Sequence, residues 1–358
     1  MNVTVIHGKD LTTDLMDTWR DIQAADLTLS SPYFHPEFTK AVASVCNDVW
    51  VGVLREGSEV VGFFPFQKNW LGVGQPIGSL LLSDFHGVIL KPGVHLDAKT
   101  LIRQCGLRIW DFDHLPANQT AFLPFHRHTA PSSFMDISLG YETYCATRRK
   151  AGSEQIKKTG GLRRKLEREA GPLRFLPHTQ ERIVLETLLK WKRAQYRETG
   201  YMDIFAFQWI NGLLNTLLQR QTPEFGGILS ALYVKDEIVA AHFGMRCGPV
   251  WHYWFPAYNP KFSKYSPGLI LLLQMAEHGA AQGFQRIDLG KGEEPYKQRL
   301  RSGTVTLLEG CIERSSPALV ARRMFLGFKG TVEGTKLDWP LRMSLRRLRR
   351  LKSRLLKE

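Results

Sequence analysis

Two stretches of this chain repeat one order of apolar runs and turns, and that repetition limits the fold more than any other feature. Trp50 to Phe66 reads as strand, acidic turn and apolar strand, as does Leu229 to Met245. Leu101 to Phe112 ends a helical pattern, passes Gly106 and enters Leu-Arg-Ile-Trp-Asp-Phe. Met275 to Leu289 does the same, with Gly283 before Phe-Gln-Arg-Ile-Asp-Leu. A hairpin followed by a helix and a further strand buries its apolar faces as a mixed sheet covered by helices. The expectation is two copies of one α/β unit, each with a mostly antiparallel sheet flanked by helices. The length of 358 residues agrees, at roughly 150 residues per domain.

The second half is the clearer copy. Strands are expected at Leu173 to Pro177, Ile228 to Val234, Ile238 to Arg246, Val250 to Phe255, 286 to 290 and Val305 to Ile312. Helical patterns fall at 180 to 198, 204 to 220, 267 to 283 and 294 to 301. Lys235-Asp236-Glu237 and Cys247-Gly248-Pro249 supply the turns of two successive hairpins.

Charge and cysteines narrow the functional classes. Cysteines at 46, 105, 145, 247 and 311 show no CxxC spacing and an odd total, so neither a disulfide framework nor a zinc site is expected. No run approaches the ~18 apolar residues of a spanning helix. A cytoplasmic protein is expected. Of the net charge of +14, half sits between Leu341 and Glu358, where eight Lys/Arg meet one Glu and leucines recur at helical spacing. Such a basic amphipathic helix suits an anionic membrane surface at the inner face or an acidic partner, and equally a terminal helix docked through its leucines. Nine Lys/Arg between Arg148 and Arg168 read as a charged helical linker, or as support for a phosphate-rich ligand. The divisions expected are 1–140, a linker at 141–170, a reactive unit at 171–315 and a basic tail at 316–358.

Reactive chemistry concentrates in residues 284 to 300, Phe-Gln-Arg-Ile-Asp-Leu-Gly-Lys-Gly-Glu-Glu-Pro-Tyr-Lys-Gln-Arg-Leu. The first half continues after Asp111 as Phe-Asp-His-Leu-Pro, without Gly-Lys-Gly or Tyr-Lys, so the site is assigned to the second unit. Asp288, between Ile287 and Leu289, needs a partner if buried, with Lys291, Lys297 or His242 as candidates. Glu293 is placed either to abstract a proton or simply to be solvated. His242 shares a strand face with the small residues Ala240 and Gly244, which leaves room for a ligand, although a satisfied core histidine fits as well. Tyr253 and Tyr258 are candidate pocket-lining aromatics. Ahead of the helix at 267, Ser266 is a candidate N-cap, Pro267 suits the first position, and Gly268 admits a ligand to the backbone, with Lys264 adding charge.

Ile238-Val-Ala-Ala-His-Phe, His252-Tyr-Trp-Phe-Pro-Ala-Tyr-Asn-Pro, Ser266-Pro-Gly and Asp288-Leu-Gly-Lys-Gly-Glu-Glu-Pro-Tyr-Lys together resemble the GNAT superfamily. They are similar to its acetyltransferase branch associated with cellulose and exopolysaccharide biosynthesis, which is related to the Fem-type aminoacyl transferases with two tandem GNAT-like units. The resemblance covers about 150 to 315, and the first half more faintly. It implies an acyl-CoA, acetyl-CoA in such a branch, held where the strands at 250–255 and 286–290 splay apart. It implies Tyr296 as the acid that protonates the leaving thiolate, with backbone amides of 250–255 stabilising the oxyanion. Asp288, Glu293 and His242 are then the candidate bases, and Ser266, Gly268, Lys264, Tyr253, Lys291 and Lys297 the candidate donor-binding set, with no metal. Lys264-Tyr-Ser-Pro-Gly268-Leu departs from the superfamily's pyrophosphate signature, which leaves the acyl donor open.

The expected activity is transfer to a sugar, a polysaccharide precursor or another cell-envelope component. A Fem-type enzyme using aminoacyl-tRNA, or a non-catalytic biosynthesis partner at the membrane, are the alternatives. Nucleic acid enters only through the first of these. No Gly-x-Ser-x-Gly elbow or phosphate-binding loop is present, and Gly72 to Gly78 misses the dinucleotide spacing.

Overall fold

Turn chemistry sets the two hairpins as expected. Gly57 at φ +59° and Lys235 at φ +52° take the left-handed conformation that a tight connection between twisted strands requires. A computed structural model describes residues 1–313; the basic tail expected at 316–358, with its helix at 341–358, lies outside the described residues.

The first half contains β1 (Asn2–His7), α1 (Thr13–Ala24), α2 (Pro36–Val45), β2 (Val49–Glu56), β3 (Glu59–Lys68), β4 (Val73–Gln75), α3 (Ser79–Leu82), β5 (Ile89–Leu90), α4 (Ala98–Gln104), β6 (Ile109–Pro116) and β7 (His126–Asp136). The second contains α5 (Tyr141–Lys150), α6 (Gln155–Ala170), β8 (Leu173–Leu176), α7 (Arg182–Thr199), α8 (Gln208–Gln219), β9 (Phe225–Val234), β10 (Glu237–Cys247), β11 (Val250–Tyr258), α9 (Pro267–Ala281), β12 (Arg286–Lys291), α10 (Pro295–Leu300) and β13 (Gly303–Glu313). β9 begins three residues before the expected start, because Gly227 lies against the backbone of Leu217 and Leu218 and extends the strand under α8.

All strands join one mixed, largely antiparallel sheet in the order β1-β2-β3-β4-β6-β13-β7-β12-β11-β10-β9-β8, with β5 beside β3. Two parallel contacts mark equivalent places, β4 with β6 and β11 with β12. The two halves thus repeat one arrangement, each with helices against its part of the sheet. The halves also trade strands: β13 lies beside β6, while β7 pairs with β12 through Ile287↔Met135 and with β13 through Gly303↔Phe134.

Three apolar cores follow from this arrangement. One face is shared, and its core runs from Trp19, Phe34 and Phe38 through Leu213 and Leu217 to Phe243 and Phe255. Arg220 of the second half binds Glu37 of the first across that face. The opposite face is divided, with Trp110, Phe64 and Phe122 under the first unit and Trp251, Leu271 and Ile287 under the second. The stretch read as a charged linker folds as α5 and α6 and joins the second core through Tyr144 and Leu166. Among the described residues, no helix is long and apolar enough to cross a membrane, and no group of three His, Cys, Asp or Glu is placed to hold a metal ion.

Candidate active site

The second unit opens where β11 and β12 part. Their parallel pairing is confined to Val250↔Arg286, Trp251↔Ile287 and His252↔Asp288. β11 then continues against β10 to Tyr258, while β12 bends towards β7 through a register shift between Asp288 and Gly290, with Gly290 at φ +75°. The result is a wedge with unshared strand edges, close to the start of α9.

That helix start differs from the expectation in one respect. Ser266 sits at φ +53° and its side chain caps nothing, because the chain arrives from a 3-10 turn (Pro260–Tyr265) in left-handed conformation. Pro267 occupies the first turn as expected. A Cβ built at Gly268 meets only Tyr258, at 3.7 Å, so the approach to the first-turn backbone is open. Leu269 and Ile270 donate to the Ser266 carbonyl, so the Gly268 N–H and the positive end of the helix dipole are what this end offers an anion.

Strand alternation separates the expected residues onto two faces. Trp251 and Tyr253 point to the α9 side, whereas His252 and Trp254 meet Tyr33 of the first half. His242 is fully buried on the α9 side, stacked on Tyr253 at 4.5 Å and 11°. A bulge between Phe243 and Met245 turns the Trp254 N–H out of the ladder, and His242 Nε2 accepts it at 3.2 Å. Burial, then the neighbouring His252, drives its pKa well below the imidazole range, so the ring is a neutral acceptor that satisfies the bulge. Tyr296 on α10 packs half-buried against the same core as Tyr253. Burial first, then Glu294, raises its pKa, and burial with Tyr296 raises that of Tyr253. Both phenols are therefore held in the proton-bearing form.

Asp288, 2% exposed, faces the first half. Its partner is not Lys291, Lys297 or His242 but Arg286, two residues earlier on the same strand face, whose guanidinium also lies 4.2 Å over the Phe134 ring. The lysines of the loop are committed elsewhere. Lys291 pairs with Glu309 at 2.7 Å and donates to the Asp113 carbonyl. Lys297 is buried, donates to the Lys291 carbonyl at 2.7 Å and contacts Glu294 at 3.1 Å, which ties the loop to α10. Lys264 binds Glu169 at 3.2 Å on the exposed side of the helix start. Glu293 is exposed, and its carbonyl accepts from Gln298.

The groups that gather at the seam were not singled out from the sequence. His252 is 0% exposed, and its Nε2 lies 2.9 Å from Asp84 Oδ2, contributed by the segment after α3. Donation from Nε2 to that carboxylate leaves Nδ1 with the lone pair, and Nδ1 is a buried atom with no partner among the described residues. Burial raises the Asp84 pKa, but the hydrogen bond and charge of His252, then His114 and Lys297, hold it below the usual carboxylate value. Tyr33 meets the His252 ring edge-on at 5.0 Å, and burial, then the Asp84 charge, raises its pKa well above the phenol range. His114 approaches the other Asp84 oxygen at 3.8 Å and Asp113 at 2.9 Å. Beside this cluster lies a cleft of ≈370 Å3 between the halves, lined by Thr28, Ser30, Phe85 and Asn118 from the first and by Arg286 and Asp288 from the second. The sequence signals were acids beside histidines within apolar runs, Ser83-Asp84-Phe85-His86 and Asp113-His114, and a histidine inside an aromatic strand.

His252 and Asp84 do not line the cleft themselves but adjoin its wall through Asp288 and Phe85. The unpartnered Nδ1 of a carboxylate-oriented imidazole is chemically able to accept a proton. The wedge and the bare helix end can receive an anionic carrier. Residues 153–298 match the family described as acetyltransferase (GNAT) domain. No curated protein matches the sequence. Among solved structures, FemX shares 11% identity, with 89% of this chain and 99% of that chain covered and a TM-score of 0.55, which is a likeness of fold. A tandem GNAT protein from the clavulanic acid biosynthesis pathway shares 10% identity over 88% of this chain and 100% of that one, with a TM-score of 0.49. The C-terminal domain of a putative lysylphosphatidylglycerol synthetase from Agrobacterium fabrum shares 12% over 86% and 93%, with a TM-score of 0.48.

Proposed function

We propose that this GNAT-type acyltransferase moves an acetyl or similar acyl group from acyl-CoA to an amine or hydroxyl of a sugar, a polysaccharide precursor or a related cell-envelope component. The observation that carries this reading is the end of the β11–β12 pairing at His252↔Asp288, with an uncapped helix start near the wedge and an Asp84-held imidazole at its apex. The fit of an acyl-CoA rests on the open backbone at Gly268 and on the unshared strand edges beyond His252. Bound there, it would supply a thioester carbonyl as electrophile.

On this reading the Gly268 N–H and the positive end of α9 hold the phosphates. The seam cleft holds the acceptor, with Phe85 against its apolar face and Thr28, Ser30 and Asn118 near its hydroxyls. His252 Nδ1 takes the acceptor proton as the new N–C or O–C bond forms, and Asp84 stabilises the imidazolium. The C–S bond breaks, and Tyr296 gives its proton to the departing thiolate. Asp288 holds Arg286 at the cleft wall, and Tyr253 shapes the wedge. Attachment to an anionic membrane through residues 341–358 belongs to the same reading and rests on sequence.

A second reading, aminoacyl-tRNA as donor, draws on Arg149, Lys150, Lys158 and Arg164, which are exposed on α5 and α6, where Glu154, Glu167 and Glu169 pair with other basic residues of α6. Titration calorimetry with CoA thioesters, followed by thiol release with aminosugar and polysaccharide acceptors, separates the two. Binding of acetyl-CoA with acceptor-dependent thiol release supports the first. Absence of both, with salt-steep retention of aminoacyl-tRNA, supports the second.

A further inference from the structure

The first unit carries a notch of ≈440 Å3 where β3, β4 and β6 meet, and acyl transfer does not use it. Arg108 enters it just before β6, whereas His114 at the seam lies six residues further along that extended segment, about 20 Å away. Trp50 lies in the notch wall, with the Lys68 ammonium 4.7 Å above its ring. Trp70 stands at the rim and is 91% exposed.

The loop that presents Trp70 is fixed by its own hydrogen bonds. Asn69 Oδ1 accepts from the Leu71 and Val73 N–H groups at 3.0 Å each, and the Gly72 carbonyl accepts from the Arg108 N–H at 2.8 Å. An indole on an ordered loop, left in water, is a contact surface awaiting a partner. Lys68 and Arg108 have no carboxylate within ion-pair distance among the described residues. The one acid in the lining, Asp48, accepts from Gln67 at 2.8 Å. Lys9 adds a third cation at the edge, where it donates to Asn47 Oδ1 at 2.8 Å. The side-chain amide nitrogens of Asn47 and Asn69 make no hydrogen bond among the described residues.

Indole faces match the C–H faces of sugar rings, amide nitrogens match ring hydroxyls, and unpaired cations match a carboxylate or phosphate. We propose that this notch binds an acidic carbohydrate, a sugar bearing a carboxylate or a phosphate. An anionic bilayer also attracts a tryptophan beside Leu71 and basic groups, but a concave surface with Asp48 in its wall suits a discrete ligand better than a lipid interface.

The test is calorimetric titration of the full chain with an oligogalacturonate, a hexose phosphate and a neutral malto-oligosaccharide, beside co-sedimentation with phosphatidylglycerol vesicles. The expected result is binding of an acidic sugar at least about tenfold tighter than the neutral one. The oligogalacturonate and hexose-phosphate arms tell a carboxylate ligand from a phosphate ligand. Trp70→Ala, and separately Lys68→Gln with Arg108→Gln, should each weaken that binding about tenfold or more while the circular dichroism spectrum is unchanged. The proposal is overturned by equal binding of acidic and neutral sugars, by no sugar binding at millimolar concentration, or by vesicle binding that Trp70→Ala abolishes while sugars fail to bind. None of these readouts involves an acyl donor, so failure here and failure of the acyl-transfer reading are distinguishable.

Discussion

The parallel pair β4–β6 stands in the first unit where β11–β12 stands in the second, and each is reached through a helix, but only the second opens onto free backbone. In the first unit the seven-residue α4 starts at Asp97, whose carboxylate accepts the Thr100 N–H at 2.7 Å and occupies the positive helix end. In the second, α9 starts at Ser266, whose side chain caps nothing, with Gly268 beside it. The space along β6 is filled by aromatic packing, with Trp110 centred 5.1 Å from Phe64 and 5.4 Å from Phe122. At the matching place in the second unit stand Ile287 and its partner Trp251, also in a core, and Asp288 corresponds to Asp111 of the first. The supporting copy still contributes, since Tyr33 and Asp84 reach His252 from it.

The comparison can be broken most decisively at its reactive end. His252→Gln, and Asp84→Asn less severely, should lower kcat/KM for acceptor-dependent thiol release by about 10²–10⁴-fold at unchanged fold. A loss within twofold would move the base elsewhere. The shared face comes next. His35 is buried, stacks on Phe225 at 4.9 Å, and accepts the Glu37 N–H at the start of α2, so it must stay neutral. Burial is the main cause that lowers its pKa to about 4. The folded value lies below the unfolded ~6.5, so its contribution is present above pH ~6.5 and is lost as pH falls towards 4, a total of about 3 kcal/mol. Denaturant titrations across that range should show the loss as one transition, and His35→Asn should flatten the slope. Two separate transitions would mean that the shared core does not couple the halves.

Copying the closed helix end onto the open one is a smaller perturbation. Gly268→Asp fits sterically and places a carboxylate near the phosphate position, so acyl-CoA affinity should fall about tenfold by calorimetry. The reverse change is milder still. Asp97→Ala removes a cap worth ~1 kcal/mol, visible as a small drop in Tm with thiol release unaltered.

Much of the fold could be read where local chemistry decides it. The Lys235-Asp236 and Gly57-Ser58 turns announce hairpins, Pro267 announces a helix start, and Gly283 announces its end. Alternation puts His242 on one strand face with Gly244, yet whether it meets a ligand or a bulge depends on a register shift that alternation does not encode. Asp84 escaped because residues 76 to 88 show no strong period, and its partner His252 is 168 residues away. The Arg286–Asp288 pair was missed for a different reason. Alternation puts i and i+2 on one face, but in sequence Lys291 and Lys297 are as eligible as partners of Asp288 as Arg286 is, and only the loop's own contacts take them away. Which strand borders β6 is also beyond local reading, since an apolar period specifies a buried face and no partner.

The exchange of β7 and β13 has a consequence for the chain as it is made. β6 and β7 are synthesised close together, but the lane between them belongs to β13, and Gly303 follows Pro116 by most of the protein. At 5–20 residues per second the ribosome leaves that gap open for roughly 10–40 s. During that time the first unit presents an unpaired, apolar sheet edge, the kind of surface that chaperones cover and that pairs wrongly with neighbouring nascent chains. Separate expression of the two halves should therefore give insoluble fragments that recover a soluble complex when co-synthesised.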